Sequence, residues 1–324
     1  MNGHGPPAIP TDDVARGVAL MVGATAVLSF QDVLGKSLAG RYPVIEMLAV
    51  RAVVASAIVL VVVHLRWGLG CLRTDHVLAH LLRSTCMLSA FLLFYRALAD
   101  LPLADATAIF FGAPFFMAVL GRVILKEELS ARRLAVLGLG FLGVLVVVHP
   151  TPDGVEPAAL LVVAGSFLYP LAMVTTRSLA RHDPPQAMIA WTMLIQAAVA
   201  GVGTAFVWEA PTSRAWLEMI GLAGLGLVGN VGLILAFSRA PVAVLAPIEY
   251  IALVFAAVFG LAVWGDVPPP AFWIGAPLIV ASSYLGTRLS RSADDGALVP
   301  VDVVDLAPPL PAPDDEPAGR PPTD

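Results

Sequence analysis

The stretch from Ala215 to Trp264, AWLEMIGLAGLGLVGNVGLILAFSRAPVAVLAPIEYIALVFAAVFGLAVW, carries Glu218, Arg239 and Glu249 as its only charged side chains. A helix crosses the ~30 Å of a bilayer's hydrocarbon with ~20 apolar residues, rising 1.5 Å per residue. Residues 215–264 are therefore too long for one span and long enough for two. Proline lacks an N–H and ends helices, so Arg239-Ala240-Pro241 marks a tight turn between spans 215–238 and 241–264.

The same pattern runs outward from this point. Apolar runs separated by charge, Pro or Gly clusters give further spans at 14–36, 43–65, 77–99, 102–125, 131–149, 157–179, 186–208 and 270–288. The expected fold is all-α and membrane-embedded, with ten transmembrane helices. Long unbroken runs exclude a barrel, whose ~10-residue strands alternate polar and apolar positions. Composition agrees: 58% of residues are hydrophobic and 13% charged, with a mean hydropathy of +0.84. Soluble domains carry about twice that charge fraction. The net charge of −5 decides little, since several acids lie near the C-terminus.

Residues 1–13 are polar and lack a basic segment ahead of a short apolar core, so the run from Val14 reads as a true span and not a cleaved leader. Residues 289–324 turn Ser/Asp/Pro-rich and are expected to form a disordered cytoplasmic tail. Cys71 and Cys86 have no CxxC or metal-like spacing and read as packed or lipid-facing thiols. Abundant Ala, Val, Gly and Arg suggest a GC-rich bacterial genome, hence a multi-pass protein of the bacterial inner membrane.

Lys and Arg set the orientation, since loops rich in them stay in the cytoplasm. With the N-terminus inside, the inner flanks collect Arg16, Arg66, Arg73, Lys126, Arg132, Arg133, Arg177, Arg181, Arg239, Arg288 and Arg291. The outer flanks collect Lys36, Arg41, Arg96 and Arg214. Both termini are expected in the cytoplasm, as an even number of spans requires.

The chain also repeats itself. Lys36-Ser-Leu-Ala-Gly-Arg-Tyr-Pro43 matches Arg177-Ser-Leu-Ala-Arg-His-Asp-Pro184. Pro102-Leu-Ala-Asp-Ala106 matches Pro241-Val-Ala-Val-Leu245, and Lys126-Glu-Glu128 matches Trp264-Gly-Asp266. The offset stays near ~140 residues, a unit of five helices. An odd number of spans per unit turns the second copy over, the inverted architecture of many secondary transporters. The expected units are 14–149 and 157–288.

These junctions resemble the drug/metabolite transporter superfamily with two EamA-type repeats. Phe94 to Ala108, Pro114 and Leu125-Lys-Glu-Glu-Leu-Ser130 resemble the first half. Phe237-Ser-Arg-Ala240, Ala246-Pro-Ile-Glu-Tyr250, Trp264-Gly-Asp266 and Gly275 to Ser283 resemble the second. Asp266 departs from a more usual Glu, and the loop between spans eight and nine is short. The resemblance covers residues 14–290. It implies ten helices, alternating access and movement of small organic metabolites such as amino acid derivatives, nucleoside-like compounds, riboflavin or S-adenosylmethionine. It also implies pairing of some members through their fifth and tenth helices. Gly138, Gly140 and Gly143 in span five permit close helix approach, so monomer and homodimer are both open.

An ionisable group deep in a bilayer faces a cavity or a partner, because lipid exposure costs ~2.5–3.5 kcal/mol on insertion scales. Glu249 lies near mid-depth, beside Tyr250 and two residues after Pro247, which should kink its helix. It reads either as a cation- or proton-binding acid or as a carboxylate paired with an Arg or Asn. Asn230, amid glycines, either meets substrate or bridges helices. Asp32 either lines the substrate pathway or makes a local pair with Lys36, four residues on. Arg51 either anchors an anionic group or pairs with Asp32 or Glu46. Phe110, Phe111, Tyr95, Tyr169 and Tyr250 are candidate pathway aromatics, Phe110 being the repeat counterpart of Glu249. Arg96 and Arg122 are expected to snorkel. No GxxxxGK, HExxH or GxSxG motif occurs, which argues against ATP-driven transport or an enzyme, and no cofactor, metal or nucleic-acid partner is expected. A channel, a receptor and a scaffold are the alternatives to a carrier.

Overall fold

A computed structural model describes residues 11–124, 130–149 and 155–292. The two tails (1–10 and 293–324) and Lys126-Glu127-Glu128 lie outside these described residues. Twelve α-helices and one short 3₁₀ turn, Leu69–Leu72, follow one another, with no strand among the described residues. They are α1 Thr11–Ala39, α2 Val44–Arg66, α3 Val77–Leu98, α4 Leu103–Phe110, α5 Ala113–Ile124, α6 Ala131–Val148, α7 Pro157–Leu179, α8 Pro185–Thr204, α9 Ser213–Phe237, α10 Val242–Glu249, α11 Ile251–Trp264 and α12 Pro270–Ser292. Eight helical segments are long and apolar enough to cross a membrane, and two shorter apolar helices, Leu134–Val148 and Pro270–Gly286, accompany them. Exposed Val53, Ile58, Val61, Leu217 and Val254 form an apolar outer surface that suits lipid and not water.

The structure refines several expected boundaries. Helix α12 runs to Ser292, past the expected end at 288. The expected turn at Pro241 is present: α9 stops at Phe237 and Pro241 caps α10. Spans four and nine are each broken in two. In span four α5 begins just before Pro114, whose missing N–H cannot bond the Phe110 carbonyl. In span nine the break falls at Tyr250 rather than at the expected Pro247, which lies inside α10.

The broken spans match in detail. α4 and α10 are both eight residues long, both start after a proline N-cap, and have cap angles of φ −56, ψ 141 and φ −59, ψ 142. α4 ends on Phe110 and α10 on Glu249, so these two are structural counterparts. The packing also maps onto itself when the halves are exchanged. α1 packs on α9 and α7 on α3; α4 packs on α7 and α10 on α1; α5 packs on α7 and α11 on α1; and α2 on α8 and α6 on α12 each map onto themselves.

Two of the three glycines in span five are used within the chain. A Cβ at Gly143 would stand 2.7 Å from the Gly275 carbonyl, and one at Gly140 2.6 Å from Ser282 Oγ. Both glycines pack on α12 of the same chain, whereas a Cβ at Gly138 would meet nothing within 4 Å.

Polar staples hold both ends of the bundle. Asp183, before α8, accepts from Thr74 Oγ1 at 2.8 Å and lies 3.0 Å from His80 Nε2. Buried Arg83 on α3 donates to the Met188 carbonyl and the Thr192 hydroxyl on α8. At the other end Lys36 Nζ donates to Asp266 Oδ2 at 2.8 Å and to the Leu101 carbonyl at 2.9 Å, with its charge 4.8 Å from the Trp264 ring centre. The expected local pair of Asp32 with Lys36 is therefore corrected: Lys36 reaches across to the far half of the chain. Gly265, in a left-handed conformation at φ 72, turns the chain at the end of α11 so that Asp266 arrives there.

Candidate functional site

A cavity of about 110 Å³ lies where α1, α4, α9, α10 and α11 meet. Thr25, Leu28, Ser29 and Asp32 line it from α1, Thr107 and Phe111 from α4 and its cap, Glu249 from α10, and Leu233 and Ala252 complete the wall. Positions 25, 28, 29 and 32 share one face by the 3.6-residue period, as do 107 and 111. The site thus brings two carboxylates, one from each half of the chain, to a single cavity with three hydroxyls. Glu249, an exposed residue at the end of its helix, lines this space, and no cation is paired with it among the described residues.

Asp32 is held from behind. Tyr95 O–H donates to Asp32 Oδ1 at 3.0 Å, and Gln31 Nε2 donates to the Tyr95 oxygen at 2.9 Å. Tyr95 is 1% exposed, so it positions Asp32 and does not itself face the cavity. Arg51 forms no ion pair with Asp32 or Glu46, correcting that expectation. Its guanidinium lies 4.8 Å from the Phe91 ring centre and acts on Asp32 only at longer range. Glu46 instead accepts the Glu209 backbone N–H at 3.0 Å.

The aromatic candidates divide into two groups. Phe111 stacks on Tyr250 with ring centres 4.5 Å apart, so repeat counterparts meet each other beside the cavity. Phe110 packs between Phe94 and Tyr169, at 5.2 and 5.7 Å, away from the cavity wall. The Glu249 carboxylate lies within electrostatic reach of the Tyr169 and Tyr250 hydroxyls. Asn230 is exposed on α9, but its amide donates to the Gly226 carbonyl of its own helix at 2.7 Å and it does not line the cavity. Arg96 pairs with Asp100 at 2.8 Å, and Arg122 is exposed.

Thr25, Ser29 and Thr107 were not singled out from the sequence. Their signal is a polar stripe at helical spacing on otherwise apolar helices, continuous with Asp32.

Gly35 tests how firmly Asp32 is held. A Cβ there would overlap the Tyr95 ring, 2.6 Å from its Cδ1. The ring cannot retreat without releasing Asp32 and Gln31. Gly35→Ala is expected to destabilise the protein by about 1–3 kcal/mol through overpacking. A lowered melting temperature in detergent checks this; an unchanged one means that Tyr95 moves freely.

Comparison with known proteins places this geometry. The EamA-like transporter family model matches twice, over residues 15–149 and 156–288. The chain belongs to that family. It is 30% identical to a riboflavin transporter of Rhizobium johnstonii over 69% of this chain and 74% of that protein. It is 25% identical to an S-adenosylmethionine uptake transporter of Rickettsia bellii over 79% of this chain and 87% of that one. A solved crystal structure shares the fold with a TM-score of 0.60 at 20% identity, covering 86% of this chain and 99% of the other. The protein is thus an all-helical, multi-pass membrane protein of a transporter family.

Proposed function

We propose that the protein is a secondary-active carrier that moves a small, positively charged organic metabolite by alternating access. The carrying observation is the pairing of Asp32 and Glu249, one carboxylate from each half, on one central cavity. Ten spans, formed by two inverted five-helix units at 14–149 and 157–288, surround it. The self-mapping helix contacts and the matched breaks of spans four and nine support this arrangement. Two near-equivalent halves can rock about the cavity between them. The Lys and Arg distribution supports cytoplasmic termini.

At about 110 Å³ the cavity is smaller than the roughly 300–1,000 Å³ of ordinary ligand sites. Loading therefore requires the helices to part, and the Lys36–Asp266 pair is the contact that parts at one end. Two facing carboxylates favour a cationic cargo, such as the S-adenosylmethionine named for one relative, over an uncharged flavin. Protons compete with such a cargo for the same oxygens, which supports proton coupling or exchange.

Counterflow in proteoliposomes tests the reading. Preloaded unlabelled S-adenosylmethionine should drive saturable uptake of labelled compound, with riboflavin as the uncharged comparison. Flux that rises linearly with gradient and shows no counterflow would indicate a channel, and saturable exchange of riboflavin alone would overturn the charge argument.

A further inference from the structure

A second and larger cavity, of about 480 Å³, opens at the Lys36 end of the bundle. Its walls are apolar, from Leu101, Ile109, Val147, Val148 and Pro269, and its polar groups are Asp105, Glu156 and His149. Helix α4 is the partition between the two cavities. Asp105 and Ile109, four residues apart, face this one, while Thr107 and Phe111 face the central one.

Asp105 is the unusual group. It is 8% exposed, and among the described residues its Oδ1 has no hydrogen-bond partner and no ion pair holds it. A buried carboxylate without a donor is costly unless something supplies one. Lys36 is the nearby cation that acts on it, but that ammonium is committed to Asp266 and the Leu101 carbonyl. Glu156, at the start of α7, and Asp266 add further negative charge around it.

We propose that this vestibule is a binding site for an organic ammonium ion, whose N–H groups meet Asp105 and Glu156 while its apolar body lies against Leu101, Ile109 and Val147. The site is separate from the central cavity and stands whether or not that cavity carries cargo. No group of three metal-ligating side chains forms among the described residues, and the walls are mostly apolar, so an amine fits better than a bare metal ion. For a cationic cargo it would be a first station, with α4 between it and Asp32.

The probe is 4-fluorobenzylamine, followed by ¹⁹F NMR on the purified full chain in detergent, with 4-fluorobenzyl alcohol as the uncharged control. The amine should bind saturably and the alcohol should not. Asp105→Asn is expected to weaken binding about tenfold or more, the worth of one charged hydrogen bond, and Glu156→Gln a few-fold. Glu249→Gln should leave this binding intact. Asp105→Asn removes a buried charge without changing shape, and Glu156 is exposed, so neither should unfold the protein. Equal binding of the alcohol, loss of binding only in Glu249→Gln, or displacement by millimolar Ca²⁺ as effective as displacement by amine would each overturn the proposal.

Discussion

Glu249→Gln is expected to reduce active transport in proteoliposomes to roughly 1–10% of the wild-type rate, while the variant purifies as a folded, monodisperse protein. The amide keeps the size of the side chain but cannot hold a negative charge, so it loses one charge-assisted contact worth roughly 1.5–3 kcal/mol. Folding should be spared because Glu249 is exposed, lines the cavity, and holds no cation in place among the described residues. Asp32→Asn should act in the same direction but disturb more, since Asp32 also accepts the Tyr95 hydroxyl. If protons and cargo compete at Glu249, wild-type transport varies with pH and that dependence flattens in the glutamine variant. Unchanged transport at every pH would remove Glu249 from the mechanism and leave Asp32 as the charged contact.

Much of this architecture is written in the run lengths. Membrane helices must satisfy their backbone within each segment, so apolar length maps onto helices almost directly. The expected 43–65 and 77–99 correspond to α2 at 44–66 and α3 at 77–98. The breaks are harder to read. Pro114 sits where α5 must begin, but nothing in Ala246-Pro-Ile-Glu-Tyr250 shows that its helix continues through Pro247 and stops two residues later.

The site was legible where a residue is costly in lipid and hidden where it is not. Glu249 and Asp32 stand out as acids in apolar runs, and both reach the cavity. Thr25, Ser29 and Thr107 blend into helices because a hydroxyl can bond its own backbone; Thr107 does so to the Leu103 carbonyl at 2.7 Å. Partner choice is hidden for another reason. Lys36 sits four residues from Asp32, and local spacing favours that pair. Yet its partner is 230 positions away, because α1 packs against α11, whose C-terminal turn delivers Asp266. Arg51 likewise has Glu46 nearby in sequence and rests on a ring instead.

That long-range pair gives the second large effect. Lys36 is 11% exposed and Asp266 29%, so the two sides of the bond are not equivalent when it is cut. Asp266→Asn strands a nearly buried ammonium on the Leu101 carbonyl and the Trp264 ring. Lys36→Met strands a carboxylate that water can reach. The first change should therefore destabilise the protein more than the second. Fully buried pairs cost ~3–5 kcal/mol to break, and the partial exposure of Asp266 lowers the expected coupling to about 1–3 kcal/mol. In a double-mutant cycle, Lys36→Met with Asp266→Asn should recover part of the loss, because no charge is left stranded. The same cut should shift the carrier toward states open at the Lys36 end. A cysteine at Thr107, on the cavity face of α4, reports this in a background where Cys71 and Cys86 are replaced by Ala. Its labelling by a membrane-impermeant maleimide should rise several-fold in Asp266→Asn. Additive destabilisation would mean that the two side chains are not coupled, and coupling with unchanged labelling would mean that the pair fastens α1 to α11 in every state of the transport cycle and does not part when the cavity opens.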